Sequence, residues 1–145
     1  MKNKYAIILP LKENFSNKNF GAVSVWINEY LSHTKVKDNI IFCRKLPNNE
    51  NYLKKNIIPI SVENKYYTNL SYIKKINTFL IKNKIDHVEI HNRPEYAKYL
   101  ILNNPNIIIN FIFHNDPNSI RNSKTVNDKI FLLKNCNKVI FVSNW

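Results

Sequence analysis

The sequence predicts an α/β domain of the doubly wound kind, a mostly parallel sheet of about six strands flanked by helices. Three observations predict it. Short runs rich in Ile, Val and Phe recur along the chain and each is cut off by polar turn residues, as strands buried on both faces are. Between several of them lie lysine-rich stretches whose apolar residues recur every three or four positions, the mark of a helix lying on a sheet. Alternation of the two implies βαβ crossovers, which are almost always right-handed and leave successive strands parallel. The 145 residues suit a single domain with a sizeable core.

Residues 5–9 form the first apolar run, ended by Pro10, and read as a buried strand. After the polar stretch 12–20, Gly21, the only glycine of the chain, opens a helix in which Val25, Ile27, Tyr30 and Leu31 share an apolar face. Residues 39–43 and 57–62 are β-branched-rich and read as the second and third strands, separated by a loop at 47–51. Leu70, Ile73, Ile76, Phe79 and Leu80 outline an amphipathic helix ending near Lys84. Residues 87–90 are the fourth strand. Pro94 stands where the first residue of a helix should be, and that helix runs through Tyr96, Leu100 and Leu102 until Asn104-Pro105 stops it. Residues 107–113, almost wholly apolar, are the expected central strand. A helix over 125–134 and a sixth strand over 139–142 complete the alternation.

The net charge of +12 would ordinarily suggest a nucleic acid. Lys, Asn and Ile are over-used in every segment, however, and the only arginines are Arg44, Arg93 and Arg121, so the charge reads as compositional background. No specific nucleic-acid partner is expected, while loose attraction to an anionic membrane face remains. Cys43 and Cys136 stand far apart without ligand spacing and read as core fillers or free thiols. The first apolar run is too short for a signal peptide or a membrane span, so the expected location is cytoplasmic, with room for peripheral contact at the inner face of the membrane.

Polar residues gather where the apolar strands end. The fourth strand is followed by His91-Asn92-Arg93-Pro94, the fifth by His114-Asn115-Asp116-Pro117 and the sixth by Ser143-Asn144. In open parallel sheets ligands bind beyond these carboxyl ends, where helix N-termini also point their positive dipole ends. Asn92, Asn115 and Ser143, taken singly, read better as turn formers or caps. Histidine is not a favoured cap, so His91 and His114 carry the functional reading. His33 and His87 read as the tail of a helix and the start of a strand. A metal site from His91, His114, Glu95 and Asp116 lacks any recognised ligand spacing, and no metal is expected. There is no G-x-S-x-G elbow around Ser143, and a single glycine excludes both G-x-G-x-x-G and the P-loop. Gly21 either permits a tight turn or lets a phosphate or sugar approach the helix behind it.

The segment Val88-Glu89-Ile90-His91-Asn92-Arg93-Pro94-Glu95-Tyr96, with Phe113-His114-Asn115-Asp116-Pro117 and Val139-Ile140-Phe141-Val142-Ser143, resembles the N-terminal half of the family 4 glycosyltransferases. Asn19-Phe20-Gly21-Ala22 is similar to that family's glycine-containing loop, with Phe20 where a second glycine is usual. The resemblance implies a GT-B architecture of two Rossmann-like domains, of which this chain is the first, acceptor-side one, incomplete at its C-terminus. A C-terminal donor-binding domain would complete the enzyme. It further implies transfer of a sugar, usually with retention and without metal or cofactor, from a nucleotide-sugar co-substrate to a saccharide or lipid-linked acceptor in cell-surface polysaccharide or glycan synthesis. Residue by residue, His114 matches the histidine beside the transferred sugar and is the catalytic candidate, and Gly21 falls near the donor phosphates. His91, Asn92, Arg93 and Glu95 would line the acceptor side, with Asn115, Asp116 and Ser143 in the same cleft. The alternative expectation is a non-enzymatic Rossmann-like binding or interaction module.

Overall fold

The computed structural model describes residues 5–34, 39–48, 50–54, 56–61 and 68–144. Its elements run β1 (Tyr5–Ile8), α1 (Ala22–His33), β2 (Asn39–Arg44), β3 (Ile57–Ile60), α2 (Asn69–Lys82), β4 (His87–His91), α3 (Pro94–Asn103), β5 (Ile108–Phe113), α4 (Val126–Asn135) and β6 (Lys138–Phe141). The strands form one six-stranded, all-parallel sheet in the order β3-β2-β1-β4-β5-β6. The chain winds outward from β1 to β2 and β3, and α2 then carries it back past β1 to start β4. The order therefore reverses between β1 and β4, the place where doubly wound sheets open a crevice beyond their strand ends.

Pleating sorts the side chains into two cores. Ile7 of β1 and Leu9 just after it, with Ile41 and Cys43 of β2, pack under Phe15 and under Val23 and Ile27 of α1. Ala6, Ile8, Val88, Ile90, Ile109, Phe111 and Phe113 face the other way, against Tyr72, Ile73, Ile76 and Leu80 of α2, Tyr96, Ala97 and Leu100 of α3, and Leu132 of α4. Among the described residues, one helix thus covers the first face and three the second.

The helix boundaries follow local chemistry. Pro94 occupies the first turn of α3, where its missing N–H costs nothing. Thr125 and Asp128 form a reciprocal capping box on α4. Beyond α2, Lys84 takes a left-handed conformation, φ 53°, that turns the chain toward β4.

Three expectations need correction. Residues 107–113 do not supply the central strand: β1 and β4 hold the middle and β5 lies next to the edge strand β6. An apolar run reports cover on both faces, which every interior strand has, and not rank in the sheet. The apolar face of α1 is also rotated, with Val23, Ser24 and Ile27 buried while Val25 and Tyr30 are exposed. Val23, Ile27 and Leu31 recur every four residues and make the inner stripe, and Tyr30 instead stacks on Trp26 with ring centroids 5.3 Å apart. Leu70 and Leu102, at helix ends, are exposed as well. Residue 62, the expected end of the third strand, lies outside the described residues. Among those described, no helix is long and apolar enough to cross a membrane.

Candidate functional site

Strand β4 carries polar chemistry on one face only. Val88 and Ile90 enter the three-helix core, so the pleat turns Glu89 and His91 to the side of α1, where the register sets Glu89 beside Ile7 and Asn110 and His91 beside Ile112. Both are buried. Glu89 Oε2 accepts a 2.7 Å bond from the Tyr5 hydroxyl, and Glu89 Oε1 lies 2.7 Å from His91 Nε2. His91 Nδ1 in turn lies 2.8 Å from His114 Nε2. On the far side the Tyr5 oxygen accepts from Asn110 Nδ2 at 3.4 Å, and Asn110 Oδ1 accepts from Asn137 Nδ2 at 2.9 Å.

The carboxylate fixes the direction of the chain at Glu89. A carboxylate only accepts, so both the Tyr5 hydroxyl and His91 Nε2–H donate to Glu89. Burial first, and then the Glu89 charge, push the Tyr5 hydroxyl well above its usual pKa, which keeps it a donor. Where His91 carries its proton on Nε2 alone, Nδ1 is an acceptor, and His114 fills it with its own Nε2–H. That leaves the lone pair of His114 Nδ1, which has no hydrogen-bond partner among the described residues. His114 is neutral in ordinary conditions: burial, and after it the neighbouring His91, bring its pKa down to about 4, against a smaller opposing effect of Glu89.

Packing holds the two rings in place. They stack with centroids 5.1 Å apart and 27° between planes, and Trp26 of α1 meets His114 edge-on at 5.2 Å and His91 at 5.7 Å. Asn92 clips the two strand ends together, its backbone N–H donating to Ile112 O at 3.0 Å and its Oδ1 accepting from the His114 N–H at 2.7 Å. Asn92 has φ 53°, a left-handed conformation that asparagine tolerates better than most residues.

The residues expected to share one cleft divide into three groups. His91, Asn92 and His114 are brought together as described. Arg93 and Glu95 turn toward α2: Glu95 Oε1 accepts from Asn69 Nδ2 at 2.9 Å, Asn69 Oδ1 accepts from the Tyr96 hydroxyl at 2.9 Å, and Arg93 Nε stands 4.0 Å from Glu95 Oε1. Asp116 and Ser143 line a separate cavity of about 580 Å³ beside α4, floored by Phe113, Leu132, Leu133 and Phe141. Asp116 mainly builds its own turn, accepting from the Asn118 N–H at 2.8 Å, and Asn115 is exposed. Among the described residues no three His, Cys, Asp or Glu side chains group to hold a metal ion, because Glu95 and Asp116 are engaged away from the histidines.

Gly21 precedes α1 as its N-cap, and a Cβ there would overlap the Glu13 carboxylate. Glu13 Oε1 accepts the Ser24 backbone N–H at 2.9 Å. The close approach that the glycine permits is therefore taken by an anion of the protein itself, sitting where a helix N-terminus favours negative charge.

Sequence reasoning missed Tyr5, Glu13, Trp26, Glu89 and Asn110. Glu89 alone left a usable signal: a carboxylate two residues before a histidine in a short apolar strand shares that histidine's face. Set against protein families, curated proteins and solved structures, the chain matches none.

Proposed function

We propose that this chain is the acceptor-side domain of a glycosyltransferase that moves a sugar from a nucleotide-sugar to a saccharide or lipid-linked acceptor, working with a donor-binding domain. The observation that carries the reading is His114 itself, a neutral imidazole fixed at a strand end near the reversal of strand order and tied through His91 to a buried carboxylate. A glycosyl transfer needs preorganised polar groups at the reacting centre, and a strand end supplies them with little reorganisation. Arg93, the residue before α3, and Glu95, in its first turn, are the acceptor-side groups of this reading. The scattered lysines supply loose attraction to an anionic membrane face, without sequence-specific nucleic-acid binding.

A second reading, a binding module without catalysis, is favoured by Glu13, whose carboxylate stands at the α1 N-terminus where a donor phosphate would otherwise sit. In the glycosyltransferase reading the nucleotide is held chiefly by the partner domain, so calorimetry of this chain with UDP- and GDP-sugars should give weak or no binding. Micromolar affinity of the chain alone for a nucleotide-sugar would contradict its acceptor-side role.

A further inference from the structure

The cavity beside α4 shares no residue with the His91–His114 site. We infer that it binds an amphiphile with a hydrocarbon body and one acidic head group, the hydrocarbon lying on the apolar floor and the acid meeting Lys129 at the rim. The inference goes beyond the glycosyltransferase reading and does not depend on it.

The fold makes the place. Phe113 ends β5 and Phe141 ends β6, and their rings stack with centroids 5.4 Å apart and 7° between planes. Leu132 of α4 packs with Phe113 and Val139 in the three-helix core, while Leu133, the next residue of the helix, borders the opening. The turn at Asp116 and Asn118 and the residues after β6, Ser143 and Asn144, add polar groups to the lining. The cavity therefore opens beyond the carboxyl ends of two parallel strands, where such sheets take their ligands. Its volume of about 580 Å³ is that of a small-molecule site.

The floor selects hydrocarbon. Phe113, Leu132, Leu133, Val139 and Phe141 carry no side-chain donor or acceptor. A sugar ring or a nucleobase laid across them would leave its own polar groups unpaired, which opposes binding, whereas an alkyl or isoprenoid chain has none to lose. The surface such a chain would cover is open: Phe141 is 50 % exposed and Leu133 64 %. Apolar surface left open in a concave site is a mark of ligand binding.

The rim selects the sign of the head group. Lys129 Nζ donates to Asn118 Oδ1 at 2.6 Å, a neutral amide, and no carboxylate pairs with it among the described residues. The other carboxylate on α4 is committed elsewhere, Asp128 Oδ1 standing 2.7 Å from Lys98 Nζ. Asp116, the carboxylate of the lining, is drawn into its own turn, with Oδ1 accepting the Asn118 N–H at 2.8 Å. An acid at the rim thus meets a cation held only by an amide, with the Ser143 hydroxyl and the Asn144 amide as further donors. Lysine suits the position, because its stem packs along apolar walls while the ammonium stays at the water. The net charge of +12 adds attraction at longer range.

The test is calorimetric titration of the protein with decyl phosphate and farnesyl phosphate, each below its micelle concentration, beside decyl glucoside and decyltrimethylammonium. Both phosphates should bind saturably, and about tenfold or more tighter than the neutral and cationic amphiphiles, because only they pair with Lys129. Tighter binding of decyl phosphate assigns a straight acyl chain, and tighter binding of farnesyl phosphate an isoprenoid. Lys129→Gln should weaken the phosphates by about tenfold, the scale of one lost charged hydrogen bond, and leave decyl glucoside unchanged. Leu133→Asp should weaken every amphiphile by about tenfold or more, since it sets an unpaired charge against the hydrocarbon, and its exposed position keeps the protein folded by circular dichroism. Val126→Asp makes the same change on the same helix outside the cavity, at a residue 71 % exposed, and should leave binding as it was. Absence of saturable binding of either phosphate overturns the inference. So does decyl glucoside binding as tightly as decyl phosphate, or Val126→Asp weakening binding as much as Leu133→Asp.

Discussion

The two faces of the same strands differ in kind. Toward α2, α3 and α4, β4 and β5 present Val88, Ile90, Ile109, Phe111 and Phe113, all buried hydrocarbon. Toward α1 the same two strands present Glu89, His91 and Asn110, joined in a hydrogen-bonded chain. Buried polar groups make a poor source of stability, since desolvation offsets most of what their bonds return. On β4 and β5, therefore, one face stabilises the fold, while the other, beside Ile112, presents side chains explained by chemistry.

The largest expected effect lies on the apolar face. Phe111→Ala should cost about 3–5 kcal/mol, the usual range for removing a buried aromatic ring, and a denaturant titration measures it. On the polar face, Glu89→Ala alone should cost about 3 kcal/mol by orphaning the Tyr5 and His91 donors. The combined replacement Tyr5→Phe, Glu89→Leu and His91→Leu should bring part of that back, because the three apolar groups need no partners, while His114 Nε2 and Asn110 Nδ2 each lose one. If the triple variant is as unstable as Glu89→Ala, the polar face is structural after all and the contrast between the faces fails.

The pH dependence of stability is the smaller and finer test. The folded-state pKa of His114, about 4, lies below its ordinary 6.5. Below 6.5 the unfolded chain therefore binds a proton that the folded one refuses. This contribution is fully present above pH 6.5 and is lost progressively as pH falls toward 4. The stability of the wild type relative to His114→Gln should be level above pH 6.5 and fall between pH 6.5 and 4.

The alternation of apolar runs and helical stretches was enough to predict the parallel sheet, and Pro94 and Asn104-Pro105 marked the limits of α3 because such signals are local. The echoed His-Asn-x-Pro ends brought His91 and His114 to notice before any geometry was known. What could not be read depends on distant contacts. The rank of β5 in the sheet, the approach of Glu13 to the start of α1 and the meeting of Tyr5 with Glu89, 84 residues away, are set by the fold as a whole. Trp26 carried no signal of its own, because the side it faces depends on the rotation of α1 about its axis. Asp116 and Ser143 share the strand-end pattern with His114 yet fall on the α4 side: Ser143, two positions beyond Phe141, keeps that residue's face, and Asp116 stands in the turn it forms with Asn118.

The central claim is that the network is directed, with Glu89 at its sink and a bare lone pair on His114. Long-range proton–nitrogen NMR of the imidazole rings at pH 7 reads this directly. His114 should be neutral and protonated on Nε2, with its Nδ1 at the shift of an unprotonated nitrogen, and Glu89→Gln should exchange its two nitrogens. A wild-type His114 that is charged at pH 7, or that carries its proton on Nδ1, would contradict the account.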